Sequence, residues 1–161
     1  MSVGVTESAK RGTGLSCCIS VKKGTRKVPV DSIEVCVGEG IKGDAHAGNW
    51  HRQVSLLGNE SVDTMREKGA QLHPGDFAEN ILTSGLTLRE LPVGTILAIG
   101  DALLAVTQIG KVCHHDCEIR KLIGTCVMPT EGIFTVVLRG GIIKPGDSIR
   151  VVDAKELLHE T

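Results

Sequence analysis

A chain of 161 residues is long enough for one domain with a hydrophobic core and too short for two domains of ordinary size. Its net charge of -1 gives no electrostatic basis for binding nucleic acid or an anionic membrane surface. With one Trp, two Phe and no Tyr, the chain lacks a base-stacking surface, and its core has to be built from aliphatic side chains.

The sequence shows no signal that would direct the chain to a membrane. No apolar run approaches the roughly 20 residues of a membrane-spanning helix, and the polar N-terminus contains no signal-peptide core. We therefore expect a cytoplasmic protein, in which thiols stay reduced. Cys17, Cys18 and Cys36 lie in apolar strand-like runs and are predicted to be small buried hydrophobic residues, as is Cys126.

The predicted elements are mostly short strands separated by glycine turns. Alternating or continuous apolar runs predict strands over residues 15–21, 32–37, 53–57, 77–82, 86–88, 95–99, 102–108, 132–138 and 148–152. A helix is predicted over 59–68, with Ser61 as its N-cap and Gly69 as its C-terminal stop, and another over 113–124.

This order of elements predicts the fold class. Because the strands do not alternate with helices, a doubly wound α/β fold is excluded, and a mostly β barrel or sandwich with two or three short helices is expected. The domain is predicted to span residues 15–152, between a flexible N-terminal tail over 1–14 and a C-terminal tail over 153–161.

The segment 110–117, Gly-Lys-Val-Cys-His-His-Asp-Cys, carries the strongest chemical signal. On a helix, Cys113 and Cys117 share one face, whereas the two histidines between them point elsewhere. A self-contained four-ligand zinc site is therefore disfavoured. Two thiols with outside ligands such as His46 or His51 remain an alternative.

Position favours a catalytic role for the first of these thiols. Cys113 falls where a predicted strand gives way to a predicted helix, so unpaired backbone N–H groups, the helix dipole and the cation Lys111 all stabilise a thiolate. A thiolate can attack sulfur, bind a soft metal or carry a persulfide. Cys117 is predicted as a resolving thiol, ligand or relay.

A second polar cluster lies in the glycine-flanked loop 40–48, Gly-Ile-Lys-Gly-Asp-Ala-His-Ala-Gly. It brings Asp44 and His46 together and is followed by His51 and Arg52. Composition alone leaves a binding loop and a solvated surface loop equally open. No Gly-x-Gly-x-x-Gly or phosphate-loop pattern follows a strand and opens a helix, which disfavours nucleotide binding by those devices.

These motifs together resemble a known family. In order, they are Gly43-Asp44-Ala45-His46, residues 52–57, Gly75-Asp76-Phe77-Ala78-Glu79-Asn80-Ile81-Leu82, Leu91-Pro92-Val93-Gly94, Ile99-Gly100-Asp101, Thr107-Gln108 and Cys113. Over residues 15–152 the chain resembles a MOSC domain, the domain found at the C-terminus of molybdenum-cofactor sulfurases and in bacterial stand-alone proteins.

The chain departs from the family pattern Gln-x-Arg-x-Pro-Cys in two positions. Gln108 and Cys113 keep the spacing, but Gly110 stands at the Arg position and Val112 at the Pro position. Lys111 is a candidate to replace the missing positive charge.

The resemblance implies a MOSC-type β-barrel whose cysteine carries sulfur or coordinates the molybdenum of a bound pterin cofactor, molybdopterin. It implies Cys113 as the metal ligand. The residues implied to bind the cofactor are Asp44, His46, Arg52, Glu79, Asn80 and Lys111. For Glu79 and Asn80, hydrogen bonding to buried backbone groups is an equal alternative.

The resemblance also implies partners. Family sulfurases join this domain to a pyridoxal-phosphate cysteine desulfurase, and no pyridoxal-phosphate site is recognised in this sequence. A separate cysteine desulfurase or molybdoenzyme is therefore expected as donor or acceptor of sulfur or cofactor.

Three hypotheses follow. The first is a molybdenum-cofactor-binding or sulfur-carrier protein acting through Cys113. The second is a non-catalytic adaptor for a molybdoenzyme, and the third a zinc- or redox-responsive module using Cys113 and Cys117. Whether the protein is an enzyme stays open; if it is, sulfur transfer or molybdenum-dependent oxidoreductase chemistry is expected.

Overall fold

The computed structural model describes residues 11–111 and 131–153. In these two ranges the chain forms short strands, one α-helix and one 3-10 turn, so the prediction of a mostly β fold is confirmed. The elements are β1 Arg11–Ile19, β2 Val28–Val30, β3 Ile33–Cys36, β4 Gly40–Ile41, β5 Val54–Gly58, α1 Asn59–Arg66, β6 Ile81–Ser84, the 3-10 turn Leu88–Glu90, β7 Ile96–Ile99, β8 Ala102–Ile109, β9 Ile133–Arg139, β10 Gly141–Ile143 and β11 Ser148–Val152. The helix predicted over 113–124, Cys113, Cys117 and Cys126 lie outside the described residues.

Seven strands close into a barrel in the order β1-β6-β5-β9-β8-β7-β11. Neighbouring strands are antiparallel except β5 and β6, which run parallel. The long strand β1 closes the barrel, because its first residues pair with β11 and its middle pairs with β6. The end of β1 pairs with β2, while β3, β4 and β10 form a separate small sheet.

Aliphatic side chains fill the barrel, as the composition predicts. Buried Ile, Leu and Val residues from six of the barrel strands, together with Cys17 of β1, form the main cluster, and a smaller cluster lies under α1 around Phe77 and Phe134. Cys17 and Cys18 are fully buried, as predicted, whereas Cys36 is only half-buried. Burial is the main cause that raises the pKa of Cys17 to about 11 and that of Cys18 to about 12, so both remain thiols at neutral pH.

The first strand begins earlier than predicted. Residues 11–14, which the sequence assigns to the tail, belong to β1, and Arg11, Gly12 and Thr13 pair with β11. Their composition is polar and glycine-containing, so no apolar alternation marks the strand. Barrel closure, a long-range pairing, orders them instead.

Three further boundaries differ from prediction. Strand β6 begins at Ile81, because residues 77–80 complete a turn. Leu88 lies in the 3-10 turn rather than in a strand. Ser61 is not the N-cap of α1: Gly58 holds that position, and the Ser61 hydroxyl donates to Glu131 Oε1 at 2.7 Å. Gly69 follows the end of the helix with a φ of +99°, which confirms it as the C-terminal stop.

Candidate functional site

The polar loop between β4 and β5 is hydrogen-bonded to the end of β8, the strand that leads towards the cysteine segment. The His51 Nε2–H donates to Gln108 Oε1 at 2.6 Å, and Gln108 Nε2 donates to the Gly110 carbonyl at 2.7 Å. The Thr107 hydroxyl donates to the His51 carbonyl and lies 3.1 Å from the Phe134 carbonyl. The fold therefore brings two of the sequence motifs together at one end of the barrel. We call the set Asp44, His46, Arg52, Gln108 and Lys111 the loop site.

A buried ion pair anchors the loop site. Lys27 Nζ lies 2.8 Å from Asp44 Oδ1, and both side chains are fully buried. The ammonium also donates to Ser20 Oγ at 3.0 Å, while the backbone N–H groups of Ser20 and His46 donate to the Asp44 carboxylate. Burial alone would raise the pKa of Asp44, but the hydrogen bonds from His46, Lys27 and Ser20 and the charge of Lys27 hold it well below its ordinary value.

His46 is held against this pair on one side and against an aromatic ring on the other. Lys27 Nζ lies 3.0 Å from His46 Nδ1, and the indole of Trp50 stacks on the imidazole with a centroid distance of 6.2 Å and an interplanar angle of 3°. The Trp50 Nε1–H donates to the His46 carbonyl at 2.8 Å. Asp44 acts to raise the pKa of His46, but burial and the charges of Lys27 and Lys111 outweigh it, so this pKa is lowered.

Arg52 lies between two aromatic rings. Its guanidinium carbon is 4.6 Å from the Trp50 ring centroid and 5.5 Å from that of Phe134. The chain has one Trp, two Phe and no Tyr, so two of its three Trp and Phe rings contact this guanidinium. Arg52 Nε is buried without a hydrogen-bond partner, and in the described part of the chain Arg52 forms no ion pair.

The loop site carries more positive than negative charge. Lys23 Nζ lies 4.8 Å from the Trp50 ring centroid, and the charge of Lys111 acts on His46. Within residues 11–111 and 131–153, neither lysine nor Arg52 has an acidic partner, because the one carboxylate of the loop site, Asp44, is already neutralised by Lys27. Such an arrangement suits an anionic ligand.

Glu79 and Asn80 lie in the interior, where they bond the backbone. The Glu79 carboxylate accepts the N–H groups of Gly75 at 2.7 Å and Phe77 at 3.1 Å. Asn80 Nδ2 donates to the Cys18 carbonyl at 3.0 Å, and its Oδ1 accepts the Ser55 N–H at 3.0 Å. Both side chains have the backbone-bonding role that the sequence left as the alternative to cofactor binding.

Sequence reasoning missed two residues of this region. Trp50 is the only tryptophan and stands between His46 and Arg52 in the sequence, which was a usable signal. Lys27 gave none, because the polar hairpin segment 22–27 has the composition of an exposed turn. Its burial follows from a long-range contact: the Lys27 N–H donates to the Gly75 carbonyl at 2.8 Å.

Two features are absent from residues 11–111 and 131–153. These residues contain no group of three or more His, Cys, Asp or Glu side chains placed to hold a metal ion. They also contain no helix long and apolar enough to cross a membrane. Cys113 and Cys117, the predicted catalytic thiols, are outside these ranges.

Comparisons with known proteins agree with the architecture. The model of the MOSC domain family matches residues 43–150. Among solved structures, the YuaD protein from Bacillus subtilis is similar, with 21% identity, a TM-score of 0.73, and coverage of 88% of this chain and 95% of YuaD. YiiM from Geobacillus stearothermophilus has 22% identity and a TM-score of 0.68, covering 88% of this chain and 75% of that one.

YiiM from Escherichia coli is similar as well, with 21% identity, a TM-score of 0.63, and coverage of 88% of this chain and 70% of that one. At these identities the likenesses show the fold. A comparison with curated proteins finds no match.

Proposed function

We propose, from the premise that this chain belongs to the MOSC domain family, that it binds molybdenum cofactor or carries sulfur for it through a thiolate at Cys113. The family is associated with molybdenum-cofactor binding and with sulfurase-like functions. The observation that carries the proposal is the pair of cations Arg52 and Lys111 at the loop site, which have no acidic partner within residues 11–111 and 131–153, beside the end of the strand that leads towards Cys113. An anionic, phosphate-bearing cofactor is the kind of ligand that such a set accepts.

The described residues fit this cofactor. A phosphate needs planar or multiple N–H donors, and Arg52 offers a guanidinium held in place by Trp50 and Phe134, with a buried Nε that has no partner. Lys111 adds a second cation to the site. When bound, the cofactor supplies a redox-active molybdenum, for which a cysteine thiolate is a suitable soft ligand.

Three residues of the loop site then have a role. Arg52 and Lys111 hold the anionic group, and Gln108 fixes the β4–β5 loop to the strand that precedes Lys111. Lys111 stands two residues before Cys113 in the sequence, so its charge also favours the thiolate over the thiol.

In the sulfur-carrier form of the proposal, Cys113 acts as a nucleophile. Its thiolate attacks the terminal sulfur of a donor protein's cysteine persulfide; a new S–S bond forms, the donor's S–S bond breaks, and the donor leaves as a thiolate. A separate cysteine desulfurase fits as the donor and a molybdoenzyme as the acceptor. Because the carrier thiol has to stay reduced between cycles, we place the protein in the cytoplasm.

The role of Cys113 is tested by substitution. In protein purified from a cofactor-producing host, Cys113→Ser should lose most of the molybdenum and the cyanide-releasable sulfane sulfur that the wild type contains. Cys36→Ser is the matched control, since Cys36 is a free, half-buried thiol in the small sheet, and should retain both. Equal molybdenum and equal sulfane sulfur in Cys113→Ser and wild type would contradict the proposal.

A further inference from the structure

The contact between Lys27 and His46 determines where the imidazole carries its proton. An ammonium group has three donors and no acceptor. At 3.0 Å from Lys27 Nζ, Nδ1 of His46 therefore has to accept a hydrogen bond through its lone pair. A neutral ring in that position carries its proton on Nε2.

The surroundings keep this arrangement in place. Oδ2 of Asp44 lies 3.7 Å from the same Nδ1, beyond hydrogen-bond distance, and accepts the backbone N–H of His46 at 3.1 Å, while Oδ1 is bonded to the Lys27 ammonium at 2.8 Å. Without that ammonium, the carboxylate would draw a proton onto Nδ1. The stacked Trp50 ring and the hydrogen bond from its Nε1 to the His46 carbonyl limit rotation of the imidazole. Lys27 itself is fixed at both ends, since its backbone N–H is bonded to the Gly75 carbonyl.

The edge of the His46 ring that carries Nε2 is the one available to a ligand. The His46 side chain is 20% exposed although its Nδ1 edge faces fully buried groups, so the exposed part lies away from the Lys27–Asp44 pair. In the described part of the chain, Nε2 has no hydrogen-bond partner. The charge of Lys111 reaches the same ring, which places this donor among the cations of the loop site.

We propose that Lys27 is a positioning residue: it locks His46 as the Nε2–H tautomer, so that the ring donates a neutral hydrogen bond to an oxygen of the anionic ligand bound at the loop site. The identity of that ligand rests on the proposed function. The tautomer itself does not, because it is a property of the protein without cofactor.

The tautomer is measured by long-range proton–nitrogen NMR on the uniformly ¹⁵N-labelled full chain at pH 7.5, with His46 assigned from a His46→Gln variant. The wild type should show His46 as the Nε2–H form. In Lys27→Met the nearest charged group to Nδ1 is Asp44, so the proton should move to Nδ1. His73 is the internal reference, since its Nδ1 is also 3.7 Å from a carboxylate, that of Asp76, but its side chain is 79% exposed and it should not respond.

The ligand contact is measured by titrating the same samples with inorganic phosphate. The His46 Nε2 resonance should shift with saturation in the wild type, and the phosphate Kd should rise about tenfold in Lys27→Met, the loss expected for one hydrogen bond to a charged group. If the lone Asp44 charge prevents Lys27→Met from folding, Lys27→Met combined with Asp44→Asn removes both charges together. That double variant should show mixed tautomers and the same loss of phosphate affinity.

Three results would overturn the proposal: an Nδ1–H form of His46 in the wild type, an unchanged tautomer in the variants, or unchanged phosphate affinity once the tautomer has changed. A protein that lacks both molybdenum and sulfane sulfur but shows the predicted tautomer and phosphate response would contradict the proposed function alone.

Discussion

At the scale of the residue, the cations Lys27 and Arg52 differ in whether the protein pairs their charge. Lys27 is fully buried, yet its charge is matched by Asp44 and its donors by Ser20 and His46. In the part of the chain that the structure describes, the Arg52 guanidinium contacts the rings of Trp50 and Phe134, and its buried Nε has no hydrogen-bond partner. A charge that is buried and paired serves the protein's own structure, whereas one that is held in place but unpaired is available to a ligand.

Arg52→Met tests this distinction. The variant keeps an apolar stem between the two rings, so the free energy of unfolding should fall by no more than about 2 kcal/mol, the value of a favourable cation–π contact. The pterin content of protein purified from a cofactor-producing host should fall at least about tenfold, since hydrogen bonds to a charged group are lost. Pterin fluorescence after oxidation and urea unfolding measure the two quantities.

Arg89→Met is the control for Arg52→Met. Arg89 is 54% exposed and pairs with Glu131, away from the loop site, so this variant should keep the wild-type pterin content. A folded Arg52→Met protein with wild-type pterin content would show that the guanidinium does not hold the cofactor.

Glu79 gives the protein a pH-dependent stability. Burial raises the pKa of this carboxyl from 4.5 to about 7, against the lowering effect of the N–H groups of Gly75 and Phe77. Between these two pH values the folded state binds more protons than the unfolded state, so the contribution of Glu79 to stability falls as pH rises from 4.5 to 7. Above pH 7 the loss is complete and is on the order of 3 kcal/mol.

Urea unfolding at pH 5.5 and pH 8 measures this effect when wild type is compared with Glu79→Gln. His46 acts in the opposite direction near pH 6.5, because its lowered pKa favours the folded state as the histidine of the unfolded chain loses its proton. The comparison with the variant cancels that contribution. Relative to Glu79→Gln, the wild type should lose stability between the two pH values; an identical pH dependence in both proteins would show that Glu79 does not titrate in this range.

At the scale of the element, the turn that precedes β6 supports the loop site through its hydrogen bond to Lys27. It includes Gly75 and Glu79, and its carbonyl at Gly75 holds the Lys27 N–H. A Cβ added at Gly75, where φ is +89°, would lie 2.1 Å from the Lys27 carbonyl oxygen. The turn and the hairpin that carries Lys27 therefore fit together only with glycine at this position.

Gly75→Ala should consequently be far more harmful than an alanine at another glycine with positive φ. Gly94 is the matched control, with a φ of +98° and nothing within 4 Å of an added Cβ. Gly94→Ala should cost about 1–2 kcal/mol of unfolding free energy from backbone strain alone. Gly75→Ala should cost at least about 2 kcal/mol more, because backbone atoms also have to move. Similar urea midpoints for the two variants would show that the contact is easily relieved.

Local pattern predicted some elements well and others poorly. Strands β3, β7 and β8 have apolar alternation or a hairpin turn that marks them in the sequence. The two-residue strand β4 and the start of β1 carry no such mark, since their order comes from pairing with distant strands. Residues 77–80 lead directly into the apolar run of β6 and were therefore predicted as part of that strand, but hydrogen bonds from the turn to Glu79 determine their conformation instead.

At the scale of the whole molecule, the barrel explains how residues far apart in sequence meet at the loop site. Asp44, His46 and Arg52 were identifiable from their motif, but the contact of Asp44 and His46 with Lys27 depends on long-range backbone bonds, from Ala45 N–H to the Ser20 carbonyl and from Lys27 N–H to the Gly75 carbonyl. Their approach to Gln108 depends on the pairing of β9 with both β5 and β8. Sequence patterns record which residues are polar, whereas the topology determines which of them meet.

The central claim is that this MOSC protein binds molybdenum cofactor at the loop site. The most direct measurement is the molybdenum and pterin content of wild-type protein purified natively from a cofactor-producing host, with zinc measured on the same sample. We predict molybdenum and pterin in equal amounts, approaching one of each per chain, and little zinc. Protein without molybdenum and pterin, or with zinc in their place, would contradict the claim.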